Sequence, residues 1–218
     1  MFPFPFSFLG SVVPDIPVEQ IANMEAMSFN GTDSYIQVPS TSDFAFGTSG
    51  FSISLWANFD SLTSNGYNIL DFRSSGGPSN VGSLWINSVN GLRWYVSGSY
   101  LSASIPAASF SNSTWYHICV TNSGSTTSFY LNGALISSAS NTTSYVAAPL
   151  TIGRYYAGSY VVNGKLDEVA IFNTALSANK IQQIYDATAV VNGVPQTANL
   201  FTGGLSSSLV YWNRMGDS

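Results

Sequence analysis

Residues 115–138, WYHICVTNSGSTTSFYLNGALISS, carry the strongest structural signal in this chain. Asn132-Gly133 supplies two residues that tolerate positive φ, as a type I′ turn requires. "TSFYL" and "ALISS" are therefore predicted to pair as a tight antiparallel hairpin. Upstream, strand alternation in "WYHICV" puts Trp115, His117 and Cys119 on one face and the residues between them on the other.

The same pattern extends in both directions. In "FSISLWANF" (51–59), Phe51, Ile53, Leu55 and Ala57 alternate with Ser52, Ser54, Trp56 and Asn58. "YNILDF", "SLWIN", "LRWYV", "YLSASI", "LTIG" and "KLDEVAIF" follow at short spacing, separated by Gly, Asn, Ser and Pro. Asn90-Gly91 marks a second hairpin. Period-2 alternation with turn residues about every 8 to 12 positions is the mark of an all-β sandwich. One helix is predicted: Ser177 N-caps "ANKIQQIYDA", where Ile181, Ile184 and Tyr185 form one apolar stripe. A helix this short does not persist alone in water and must lie against the sandwich.

The 218 residues fit one large domain or two small ones, and a β-sandwich routinely fills this length as a single unit. Apolar residues at 45% suffice for a packed core, whereas charged residues are only 8%, against roughly 25% in an average soluble domain. Ser, Thr, Asn and Gly must cover the surface, which suits an outer surface or an assembly interface. A net charge of −5 argues against nucleic acid and anionic lipid as partners. No run reaches the ~18 to 20 apolar residues of a membrane-spanning helix. The single Cys119 excludes an intrachain disulfide and reads as a small buried hydrophobe. Residues 1–22, opening MFPFPFSFLG, read as an extended apolar arm without the charged n-region of a signal peptide. Phe2, Phe4, Phe6 and Phe8 would pack on a neighbouring subunit or a host assembly. Residues 23–188 then form the domain, and 189–218 a tail with one short strand, "LVYWN".

"FNGTDSYIQVP", "FSISLWANF", "WYHICVTNSGSTTSFYLNGALI", "LTIGR" and "GKLDEVAIFNTALSANKIQQIY" occur in this order over residues 26 to 186. Together they resemble LamG-like, concanavalin A-like jelly-roll domains. The resemblance implies a two-sheet antiparallel jelly roll with one short helix near the C-terminal end. The closing "LVYWNRMGDS" is similar to segments that follow such domains in marine bacteriophage structural proteins. That likeness implies a virion surface, fibre or decoration protein, partnered by viral structural proteins or by copies of itself as a homo-oligomer. The alternative is a free, extracellular carbohydrate-binding adhesion module. Since the fold hosts both binding modules and glycosidases, the site must decide.

Asp167 and Glu168 stand together in a chain short of carboxylates. Adjacent strand residues point to opposite faces, so the two cannot act as the paired carboxylates of a retaining glycosidase. No Cys/His zinc spacing or phosphate-cradling loop is present, and no enzyme is expected. The resemblance implies a structural Ca²⁺ between Asp33 and Asp167. The competing reading gives Asp167 backbone or arginine hydrogen bonds and leaves Glu168 facing solvent or paired with Lys165 or Arg154. No cofactor is otherwise required. Sugar recognition needs aromatic faces with a few polar groups, and Arg154, Tyr155, Tyr156 and Tyr160 in "GRYYAGSYVVNG" supply both. Tyr67 and Tyr100 are further candidates. The same residues equally suit a protein interface or plain packing at the sandwich rim.

Overall fold

The computed structural model describes residues 16–75, 77, 80–192 and 194–216; Phe2, Phe4, Phe6 and Phe8 lie outside them. The strands are β1 (Gln20–Ala22), β2 (Met27–Asn30), β3 (Ile36–Val38), β4 (Phe51–Phe59), β5 (Tyr67–Asp71), β6 (Gly82–Asn87), β7 (Gly91–Val96) and β8 (Ser99–Ile105). They continue as β9 (Trp115–Asn122), β10 (Thr126–Leu131), β11 (Ala134–Ser140), β12 (Leu150–Ile152), β13 (Asn163–Phe172), β14 (Ala189–Val191), β15 (Val194–Ala198) and β16 (Leu209–Asn213). Among the described residues one α-helix, α1 (Ala178–Asp186), precedes β14.

Two antiparallel sheets face each other, as the alternation predicts. A seven-stranded sheet runs β11-β10-β9-β4-β13-β16, with β2 also paired to β13, and a six-stranded sheet runs β3-β12-β5-β6-β7-β8. Their inner faces merge into one core containing Phe51, Ile53, Leu55, Ala57, Ile118, Val120 and Phe129 from the first sheet. Leu70, Leu84, Ile86, Leu92 and Trp94 come from the second. Full burial of each large side chain contributes roughly 1.5–3 kcal/mol, which is how a chain without disulfides holds. The β10–β11 hairpin turns at Asn132 (φ 49°) and Gly133 (φ 79°), the predicted turn. The β6–β7 hairpin differs in detail: Asn87 faces Gly91 across a three-residue loop, and it is Gly91 that takes positive φ.

The outer face of the seven-stranded sheet is covered. Ser177 caps α1 by accepting from Lys180 N at 3.3 Å, and Ile181 and Ile184 pack with Cys119, Tyr130, Ala170 and Phe172 into a second apolar cluster. The segment read as a tail completes this cover. Its β14 and β15 join β1 in a small sheet, and its β16 pairs with β13 at the edge of the main sheet. Ser52 and Ser54, polar by alternation, are buried beneath. Among the described residues, the outer face of the six-stranded sheet carries no such layer of helix and strand.

Glu168 departs from the expected alternation. Along β13, Asp167 faces Trp56 while Ala170 faces Ser54 on β4, so residues 168 and 169 together oppose Leu55. This is a β-bulge, with Glu168 at φ 50°. The bulge turns Glu168 onto the same outer face as Asp167. There it is 5% exposed, accepts from Trp212 Nε1 and pairs with Arg214 Nε at 3.3 Å. The expectations of opposite faces, and of solvent, Lys165 or Arg154 as partner, are corrected accordingly. Burial pushes the Glu168 carboxyl up to about 7, aided by the Asp167 charge and opposed by Trp212 and Arg214.

Candidate functional site

The outward face of the six-stranded sheet is built from two cross-strand rows. In the first, Asp71 faces Ser83, Ser83 faces Tyr95, and Tyr95 faces Tyr100. In the second, Asn68 faces Trp85 and Trp85 faces Arg93. Neighbouring side chains in such rows stand about 5 Å apart and interact directly.

Asp71 organises this face. It is fully buried, and its Oδ1 accepts from Arg73 N at 3.0 Å and Arg73 Nε at 2.8 Å. Its Oδ2 accepts from Arg73 Nη2 (3.1 Å), Tyr156 N (3.1 Å) and Asn68 Nδ2 (3.3 Å). Burial raises the Asp71 pKa, opposed chiefly by Arg73. The bidentate pair fixes the guanidinium plane, which lies among three rings, 4.8 Å from Tyr95, 4.8 Å from Tyr155 and 5.5 Å from Trp85.

The 153–161 loop lies over one end of the face. Gly153 begins it at φ 89°, where a Cβ would stand 2.2 Å from Phe29 Cε1, so only glycine fits. Gly153 N donates to Ile69 O and Asn68 N donates to Tyr160 O, which tie the loop to β5. Tyr160, 44% exposed, meets Trp85 edge-on at 4.9 Å, and Tyr155 meets Tyr156 at 4.4 Å. A hydrogen bond shared with Tyr156, then burial, pushes Tyr155 up to about 12. At the far end, Arg93 stacks 3.8 Å over Tyr100, which is 39% exposed.

Three polar atoms on this face lack partners among the described residues: Asn68 Oδ1, Trp85 Nε1 and Arg93 Nε. They occupy the second row on three adjacent strands. A buried polar atom without a partner costs about 1–3 kcal/mol, so three in one row require an explanation. Together they present one acceptor and two donors beneath aromatic rings.

Of the residues expected from sequence, Tyr155, Tyr156 and Tyr160 come together here. Arg154 sits at the margin, 3.3 Å over the Tyr35 ring. Tyr67 belongs to the core and donates to Ser61 O. Asn68, Asp71, Arg73, Trp85, Arg93 and Tyr95 were not expected. Asp33 and Asp167 are not brought together. Asp33 closes the Asn30 turn beside Asn163, about 13 Å of strand from Asp167, which accepts from Asn23 Nδ2 and Glu168 N. The pair does not fit a shared cation, and among the described residues no three His, Cys, Asp or Glu side chains gather as a metal set. His117 and Cys119 lie under the α1 cover; burial alone holds His117 at about 3 and pushes the Cys119 thiol up.

The chain is similar in fold to several solved structures. The heptameric SAP-like pentraxin of Limulus polyphemus is 18% identical, with a TM-score of 0.53 over 79% of this chain and 83% of that one. Domain 4 of AbnA, a GH43 extracellular arabinanase from Geobacillus stearothermophilus solved with arabinotriose, is 19% identical, with a TM-score of 0.53 over 72% and 74%. The binding domain of botulinum neurotoxin DC, solved with SialylT, is 17% identical, with a TM-score of 0.58; the matched region is 80% of this chain and 48% of that one. None of the curated proteins compared with the chain matches it. The family model for the concanavalin A-like lectin/glucanases superfamily matches residues 30–182, and the chain belongs to that superfamily.

Proposed function

We propose that this protein is a non-catalytic carbohydrate-binding module whose sugar site is the outward face of the six-stranded sheet around Trp85, Arg93, Tyr100 and Tyr160. One observation carries the reading: the row Asn68–Trp85–Arg93, with its three unpartnered polar atoms beside exposed rings. A sugar ring offers C–H faces to the aromatic groups and hydroxyls that both donate and accept. The AbnA domain and the neurotoxin domain were each solved with a saccharide, which supports the class. Among the described residues neither Arg93 nor Arg154 is in an ion pair, a bias toward sugars bearing a carboxylate. Catalysis is disfavoured because His117 and Cys119 are buried and held in unreactive forms, and Glu168 is enclosed by Trp212 and Arg214. The test is a glycan array with wild type, Trp85→Ala and Tyr160→Ala. Binding is expected for wild type and should fall about tenfold in each variant, the loss of one aromatic contact. Array binding unchanged in both variants sinks the site.

A second reading concerns setting. The low charge of the chain and its Phe-rich opening support a structural protein of a particle surface, such as a virion, assembled through the opening arm. That arm is residues 1–15 rather than 1–22, because Gln20–Ala22 pair with β15. Light scattering of the full chain and of a chain beginning at Ile16 tests it. This reading predicts an oligomer that becomes a monomer on truncation; equal masses refute it.

A further inference from the structure

A groove of about 700 Å³ opens on the opposite side of the molecule, on the outer face of the seven-stranded sheet where the α1 cover ends. Trp56 on β4 and Trp115 on β9 form its floor, with Lys165 and Asp167 beside them on β13. The register explains the grouping. Trp56 faces His117 on one side and Asp167 on the other, while Asn58 faces Trp115 and Lys165. Asn23 to Ala26, Pro195 and Gln196 form the wall.

Trp56 is held rigidly: its ring stacks on Tyr185 of α1 at 5.9 Å and packs against His117 at 5.3 Å. Trp115, beyond the helix, is 39% exposed. Among the described residues neither indole N–H has a protein acceptor, and Lys165 has no ion-pair partner. Asn23 gives its Nδ2 to Asp167 Oδ2 at 2.9 Å, while its Oδ1 is buried without a partner. A purely structural rim would cover Trp115 and satisfy Asn23.

The charges select the ligand class. An anionic ligand meets Asp167 and Glu25, and a cationic one meets Lys165. A neutral saccharide meets neither penalty, stacks its C–H face on the indoles and exchanges hydrogen bonds with Lys165, Asn23 Oδ1 and Gln196. We infer that the Trp56–Trp115 groove is a second carbohydrate site, for a neutral sugar, separate from the face around Trp85. With sites on opposite sheets, one molecule can bridge two glycan chains.

The test uses the full ¹⁵N-labelled chain, whose five tryptophans give five indole N–H signals, each assigned by a Trp→Phe variant. Maltotriose, cellotriose, mannotriose and arabinotriose are titrated to millimolar concentration. At least one is expected to shift the Trp56 and Trp115 signals together with one dissociation constant. Trp115→Ala should weaken that event about tenfold. Lys165→Ala should weaken it while leaving the Trp115 signal in place, and the unmoved Trp94 signal reports an intact core in both. If only Trp85 shifts, the groove is overturned and the first site stands. If only Trp56 and Trp115 shift, the groove stands as a neutral-sugar site separate from the first, which the glycan array with its carboxylate-bearing sugars decides. If no signal shifts, or if the Trp56 shifts survive both substitutions, the groove proposal is overturned.

Discussion

Replacing Glu168 with glutamine should remove a pH dependence of stability that this one carboxylate imposes. The carboxyl lies in the β13 bulge, 5% exposed, with its pKa raised from 4.5 to about 7, mainly by burial. The folded state therefore holds the proton more tightly than the unfolded state. Stability from this group is fully present below pH 4.5 and is lost as pH rises through 7. Taken whole, the shift corresponds to about 3 kcal/mol. Buried His117 works in the opposite direction, since its lowered pKa destabilises the fold as pH falls below 6.5 toward about 3. The wild-type curve alone therefore does not isolate Glu168, but the difference between wild type and variant does. The substituted amide is uncharged and still accepts from Trp212 Nε1, although Arg214 loses its carboxylate, so the offset between the curves is not diagnostic. The slope is. In urea unfolding followed by tryptophan fluorescence, wild type minus Glu168→Gln should fall by up to about 3 kcal/mol between pH 4.5 and 7 and stay flat above. A flat difference, or one that rises with pH, refutes the account of the bulge.

Arg73→Met should leave the Asp71 carboxylate buried without its cation, which costs about 3–5 kcal/mol and lowers the thermal midpoint by several degrees; an unchanged midpoint contradicts the role given to Asp71. Arg93→Gln should reduce binding of carboxylate-bearing sugars more than of neutral ones. It should also flatten the salt dependence of that binding, measured by calorimetry at low and high ionic strength. Ser177→Ala should cost about 1 kcal/mol of stability through the lost α1 cap, read as a shift in urea midpoint.

The sandwich was legible because both of its inner faces are apolar at every second residue, and because Asn132-Gly133 fixes one hairpin without tertiary help. The helix was legible from Ser177 and its stripe. The site was largely hidden. In "SLWIN" and "LRWYV" alternation alone cannot say which tryptophan faces inward; Trp94 enters the core and donates to Tyr145 Oη at 2.9 Å, while Trp85 faces out. Asp71 was missed because nothing in the sequence shows that it is buried: Arg73 is only two residues away, but Tyr156 reaches it from 85 residues downstream when the 153–161 loop folds over β5. Glu168 was misplaced because a bulge at a non-glycine residue breaks period 2, and because its partners, Trp212 and Arg214, lie more than 40 residues downstream. The tyrosines of "GRYYAGSYVVNG" were found because aromatic groups clustered in one loop need no register to be recognised.

A crystal structure of the protein soaked with the strongest glycan from the array tests the proposed sugar site most directly. A sugar ring against Trp85 and Tyr160, with its polar atoms on Trp85 Nε1 and Arg93 Nε, is the predicted result. A sugar bound elsewhere, with that face unoccupied, contradicts it.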